Sequence, residues 1–179
     1  MKYPIAKITA WILIPILLVL VLYCYFTPLQ QTTIFFVRHA EKTGSGLTDT
    51  LSTAGFERAE KLAFILQDVH LDAVYATEYL RTQQTGAATA SDQGLSVTQY
   101  TASSDAAVIE AFLDQVLDDH SGGNVLIVGH SNTVPLLVNA LLNNPTFSTI
   151  AESEFSNLFV LDVLNKGPQV KLKHLHYGD

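Results

Sequence analysis

Ile34-Phe35-Phe36-Val37-Arg38-His39-Ala40-Glu41-Lys42 is an apolar run that ends abruptly in a basic pair. The run is too short for a helix and suits a strand covered on both faces, and ligands in open α/β sheets bind beyond the carboxyl ends of such strands. It predicts a strand from about Thr32 to Arg38 with Arg38 and His39 at its tip, where chemistry is usually found. A second run, Asn124-Val125-Leu126-Ile127-Val128-Gly129-His130, repeats the pattern and again ends in histidine.

Outward from these two strands the chain alternates. Ser52 or Thr53 caps a predicted helix to about His70, with Leu62, Ile65, Leu66 and Val69 at helical spacing. Asp72 to Ala76 is a short strand, followed by Thr77 as the expected cap of a helix carrying Arg81. Leu95 to Tyr100 reads as a third strand, and Ser104 as the cap of a helix with Ala107, Val108, Ala111, Phe112 and Val116 on one stripe. Ser131-Asn132-Thr133 leads into a helix with Pro135 in its first turn, where proline is tolerated. Phe155 to Leu164 and Gln169 to His176 are strand-like runs about a turn at Asn165-Lys166-Gly167-Pro168. The expected fold is a three-layer α/β sandwich: a mostly parallel central sheet with an antiparallel edge and helices on both faces.

The 179 residues suffice for one domain with a real core. The formal charge is -7, and removing Lys2 and Lys7 leaves -9 on the remainder, which excludes a generally basic surface for nucleic acid or anionic lipid. Any anionic substrate must be captured locally. Cys24 is the single cysteine, so no intramolecular disulfide and no cysteine-based metal site is expected.

Residues 8–26 are uncharged and follow Lys2 and Lys7, close to the roughly 20 apolar residues that span a bilayer. The run ends in Tyr23-Cys24-Tyr25-Phe26-Thr27-Pro28, bulky where a cleaved signal would carry small residues. An uncleaved anchor fits better than a signal peptide or a buried core helix. Tyr23 is too large for the position before a lipidated cysteine. The expected division is therefore a short cytoplasmic N-terminus 1–7, a transmembrane helix 8–26, a linker 27–31 and a globular domain 32–179. The positive-inside bias places the domain in the periplasm, on a single-pass inner-membrane protein.

Two arginines and two histidines thus converge on one sheet edge: Arg38 and His39, Arg81, and His130. Such a set suits a phosphate dianion, because guanidinium forks match phosphate oxygens and stabilise a transferring phosphoryl group. A neutral imidazole beside that group can attack phosphorus and carry it as phosphohistidine. His174 and His176 alternate on one strand face near Asp179, but two ligands without a third make no metal site. His70 and His120 end helices, where a cation complements the dipole.

Phe36-Val37-Arg38-His39-Ala40-Glu41, the Tyr75-to-Thr85 segment and Val128-Gly129-His130-Ser131-Asn132 together resemble the histidine phosphatase superfamily, the phosphoglycerate-mutase-like fold. Leu47-Thr48 and Ser52 to Gly55 resemble the stretch after the family's first motif. By this resemblance His39 is the phosphorylated nucleophile, Arg38, Arg81 and His130 hold the phosphate with Ser131 beside them, and no metal or organic cofactor is implied. Ala40 stands where the family's mutases have glycine, and the domain is short, so the resemblance implies hydrolysis rather than mutase chemistry. The family's usual proton donor is a carboxylate after the third strand. Here that place holds Tyr100-Thr101-Ala102-Ser103-Ser104 before Asp105, which makes Asp105 the nearest candidate acid. Glu110 lies further along, and Glu41 follows the nucleophile closely.

The expected activity is hydrolysis of a phosphomonoester or phosphoramidate, on a phosphorylated small molecule or an envelope glycolipid by analogy with lipopolysaccharide heptose phosphatases. Two alternatives stand beside it: a cytoplasm-facing phosphohistidine protein phosphatase, and an inactive relative that binds a phosphorylated ligand.

Overall fold

The computed structural model describes residues 13–19, 22, 30–44, 46–164 and 169–178. The expected anchor at 8–26 with Cys24, the turn at Asn165 to Pro168, and Asp179 lie wholly or partly outside these residues. Residues 13–19 are helical and exposed. Among the described residues no helix is long and apolar enough to cross a membrane.

Six strands form one sheet: β1 (Gln31–Arg38), β2 (Ala73–Thr77), β3 (Val97–Tyr100), β4 (Asn124–Gly129), β5 (Asn157–Leu164) and β6 (Val170–His176). Their order is β3-β2-β4-β1-β5-β6. β1, β2, β3 and β4 run parallel, whereas β5 pairs antiparallel with β1 and β6 antiparallel with β5. Four helices connect them: α1 (Thr53–Leu66), α2 (Leu80–Asp92), α3 (Ala106–Asp119) and α4 (Thr133–Leu142).

Side chains of β1 alternate between two cores because successive residues of a strand point to opposite faces. Ile34 and Phe36 join Ile109, Leu113 and Val116 of α3 and Val134, Leu137 and Val138 of α4. Phe35 and Val37 join Leu62 and Leu66 of α1 and Ala90 of α2. Helices therefore cover both faces, as the double-sided burial of the strand sequences requires, and the three-layer sandwich is the observed architecture.

Two caps differ from expectation. Thr77 ends β2 instead of capping α2, whose N-cap is Tyr79. Its hydroxyl is directed into the sheet edge, and the chain makes a tight turn before the helix starts. At α3 the cap is Asp105, not Ser104: its carboxylate accepts from the amides of Ala107 and Val108 at 2.8 and 3.4 Å. A carboxylate at a helix N-terminus satisfies orphan donors and complements the dipole better than a hydroxyl does. Ser52 caps α1 as expected, accepting from the Gly55 amide at 3.2 Å.

Gly55 itself is required. A Cβ there would stand 2.1 Å from the carbonyl oxygen of Glu41, so only glycine lets α1 press against the segment that follows His39. That close approach fixes the chain just beyond the sheet edge.

Candidate active site

The pairing of β1 with β4 builds the site. Its register sets Arg38 opposite Gly129, and one step further the His39 amide donates to the Gly129 carbonyl at 2.9 Å. The residues after the two strands, His39 and His130, consequently stand side by side with ring centroids 5.5 Å apart. β2, on the other side of β4, delivers Thr77, Tyr79 and Arg81 to the same edge. A cavity of about 350 Å³ opens there, lined by Arg38, His39, Arg81 and His130 together with Lys42, Tyr79, Ser131 and Glu152.

His39 is 3% exposed. Its Nδ1 lies 2.8 Å from the carbonyl oxygen of Ala40, and because a carbonyl only accepts, Nδ1 carries the proton and Nε2 keeps its lone pair. Burial is the main force on its basicity, reinforced by the charges of Arg81 and Arg38 and opposed by the bond to Ala40; the pKa falls to about 3. At neutral pH the ring is uncharged, with Nε2 unprotonated.

His130, 8% exposed, is fixed by a chain of hydroxyls. Thr82 Oγ1 stands 2.7 Å from the Tyr79 carbonyl and 3.1 Å from that of Thr77, so its one proton points at a carbonyl. It then accepts from Thr77 Oγ1 at 2.8 Å, and Thr77, with no proton left to give, accepts from His130 Nε2 at 3.0 Å. The tautomer follows: Nε2 is protonated and Nδ1 is bare. Burial, then the charge of Arg81, lowers the His130 pKa to about 4, with Glu78 opposing.

Arg38 is 1% exposed. Its Nη1 donates to the carbonyls of Ala151, Glu152 and Glu154 at 2.7, 3.2 and 2.9 Å, and its Nη2 to the Glu152 carboxylate at 2.9 Å. Phe155 covers the guanidinium, 4.3 Å from ring centre to Cζ. Arg81 lies over Tyr79 at the same distance and donates from Nη1 to the Gly46 carbonyl at 2.7 Å. Burial pulls both arginines below their ordinary pKa, yet each stays charged. Nε of Arg38 and Nε of Arg81 are buried without an acceptor, a costly arrangement that two oxygens of an anion would relieve.

Arg38, His39, Arg81, His130 and Ser131 are all in the cavity wall. Asp105 is not: its carboxylate caps α3, which leaves it unsuited to proton transfer. Glu41 also stays out of the wall, bonded to Arg58 Nη2 at 2.9 Å and to Nε at 3.0 Å. Burial tends to raise its pKa, but the hydrogen bonds and charge of Arg58 outweigh that and lower it. It ties the segment after His39 to α1. Glu110 is exposed on α3. His174 Nε2 donates to Asn157 Oδ1 at 2.8 Å and its ring stacks on Phe159, and no group of three or more metal-binding side chains occurs among the described residues.

Sequence reasoning missed Glu152, the one carboxylate among the described residues that lines the cavity, and the threonine supports. One signal for Glu152 existed. A strand antiparallel to β1 must begin where β1 ends, so the segment preceding β5 is bound to reach Arg38 and His39. Thr85 has a similar part: its hydroxyl donates to the Arg81 carbonyl at 2.7 Å and accepts from the Ala40 amide at 3.0 Å, linking the nucleophile's loop to α2.

Residues 34–103 match the family profile described as histidine phosphatase superfamily (branch 1). That segment includes Arg38, His39 and Arg81 and stops short of His130. No curated protein sequence gives a significant match. Solved structures share the fold. The protein histidine phosphatase SixA, in complex with tungstate, has 20% identity and a TM-score of 0.64 over 80% of this chain and 96% of that one. The alpha-ribazole phosphatase of Shigella flexneri has 19% identity and a TM-score of 0.63 over 80% and 96%. A mycobacterial glucosyl-3-phosphoglycerate phosphatase has 13% identity and a TM-score of 0.69 over 83% and 100%. The family match covers residues 34–103, and the likeness to these structures is one of fold.

Replacing Thr77 by valine removes the acceptor of His130 Nε2 at nearly constant volume. The variant should lose about 1–3 kcal/mol in urea denaturation, the cost of a stranded buried donor. Ring ¹⁵N spectra should show protonated Nε2 on His130 in the native chain and a tautomer mixture in the variant. Unchanged stability and an unchanged tautomer would remove the hydroxyl chain as the cause.

Proposed function

We propose that the domain is a phosphatase that hydrolyses phosphomonoesters or phosphoramidates through a phosphohistidine intermediate on His39. One observation carries the reading: His39 is locked with Nδ1 on the Ala40 carbonyl, so its bare Nε2 is left beside Arg38, Arg81 and His130 in a single cavity. The two arginines would take the non-bridging oxygens, spread the charge that develops in transfer and keep His39 unprotonated. Nε2 would attack phosphorus as the ester or P–N bond breaks, and water would then displace phosphate from the histidine. His130 stands beside His39 in the same cavity wall. Water-accessible polar walls favour the second displacement by water over transfer to another acceptor.

We further infer that residues 8–26 anchor the chain in the inner membrane with the domain in the periplasm. The fold bears on the substrate in that case. The chain enters β1 at Gln31 while the cavity lies past Arg38, at the other end of the eight-residue strand, a rise of about 26 Å at roughly 3.3 Å per residue. A pocket so placed faces away from the bilayer, which favours a water-soluble phosphorylated molecule over a glycolipid headgroup. The phosphatase named alpha-ribazole phosphatase, of the same fold, carries a small-molecule substrate in its name.

With 4-nitrophenyl phosphate, the native chain should turn over and His39→Ala should fall to background, at least about 10³-fold lower. Equal hydrolysis by both proteins would exclude His39 as nucleophile. For topology, an alkaline phosphatase reporter fused after Thr27 should be active outside the cytoplasm; a fusion active only as a cytoplasmic reporter would refute the periplasmic placement.

A further inference from the structure

Among the described residues, Glu152 is the one carboxylate in the cavity wall. His39 is at the floor, 3% exposed, and Glu152 is at the mouth, its side chain 76% exposed. In-line displacement puts the leaving atom on the side of phosphorus opposite Nε2; with His39 buried, the exposed side of the cavity, where Glu152 lies, is the open way out. Glu152 is also held in place there: Arg38 Nη2 donates to its Oε2 at 2.9 Å and Ser131 Oγ to its Oε1 at 3.1 Å. The remaining acidic candidates are occupied elsewhere, Asp105 on the start of α3 and Glu41 on Arg58.

Resting on the phosphatase reading above, we propose that Glu152 is the catalytic acid and base of this site, protonating the leaving oxygen and then deprotonating the attacking water. The atoms balance as follows. The Nε2 lone pair of His39 forms the N–P bond while the P–O bond to the leaving group breaks. The electron pair goes to the leaving oxygen, which takes the proton of the Glu152 carboxyl group. In the second step water attacks phosphorus, its proton passes to the Glu152 carboxylate, and the N–P pair returns to His39. Phosphate leaves with Glu152 protonated again.

The proton enters with the substrate. In the free protein the charge of Arg38, and then the bond from Ser131, hold Glu152 below the usual carboxylate range. A phosphomonoester has its second ionisation near pH 6, about as reported for phosphorylated side chains. A monoanion that binds brings one proton to the pair. Once the phosphoryl group engages Arg38, the carboxylate loses part of its stabilising partner and faces a negative group, so the shared proton moves to Glu152.

The test uses the full chain and two substrates with different leaving groups, 4-nitrophenyl phosphate and phenyl phosphate. Glu152→Gln should lower kcat/KM, which reports phosphoryl transfer to His39, on phenyl phosphate by about 10²–10⁴-fold and on 4-nitrophenyl phosphate by less than about tenfold, because nitrophenolate departs without a proton. The fall in kcat/KM above about pH 6, expected from the monoanion requirement, should be present in the native chain with phenyl phosphate and flattened in the variant. Thermal melting should be unchanged for so exposed a side chain. An equal loss of kcat/KM on both substrates would overturn the proposal and leave Glu152 as a positioner of Arg38. Equal or raised activity on both would overturn it too, showing that the carboxylate only occupies Arg38. A native chain that hydrolyses neither ester and carries no phosphate on His39 would instead end the phosphatase reading, and this inference with it.

Discussion

A single backbone hydrogen bond, from the His39 amide to the Gly129 carbonyl, extends the β1–β4 ladder one residue past the strands and sets two histidine rings in contact. The rest of the site is placed relative to that pair. A register shift by one residue would turn Arg38 and His39 to opposite sides of the sheet, and the alternation of β1 between two cores prevents such a shift. The hydrophobic pattern of Ile34 to Val37 therefore positions the nucleophile, through packing alone, before any polar contact is counted.

Electrostatics then work in a narrow space. The chain carries -7 overall, yet Arg38 and Arg81 are buried at one edge of the sheet. Burying such charges is expensive unless they are bonded. Backbone carbonyls of residues 151, 152 and 154 and of Gly46 provide much of that bonding, together with the faces of Phe155 and Tyr79. Burial, reinforced by the same positive charges, keeps His39 and His130 neutral. The field of the two arginines thus helps leave the Nε2 lone pair of His39 free, and the proposed function uses the same charges to draw a phosphate in.

Much of this was legible in the sequence because it is local. Apolar runs ending in Arg-His and Gly-His marked two strand tips, and periodic leucines and valines marked the helices between them. Arg38, His39, Arg81, His130 and Ser131 could be gathered because each follows a strand or begins a helix. What escaped was set by long-range pairing. Glu152 meets Arg38 across 114 residues, and only the antiparallel pairing of β5 with β1 brings its loop there. Likewise Asp105 had the right residue type and the right place in the chain, but the end of α3 claims its carboxylate. The threonines at 77, 82 and 85 read as ordinary polar residues until their hydroxyls are seen to bridge strand, helix and ring.

The account stands most directly on which atom becomes phosphorylated. Rapid acid-free quench of the native chain during turnover of an aryl phosphate, followed by ³¹P–¹⁵N correlation on ring-labelled histidine, identifies that atom. Phosphorus bonded to Nε2 of His39 is the predicted result, since Nδ1 is committed to the Ala40 carbonyl. Phosphorus on Nδ1, on His130, or on no histidine while turnover proceeds would contradict it.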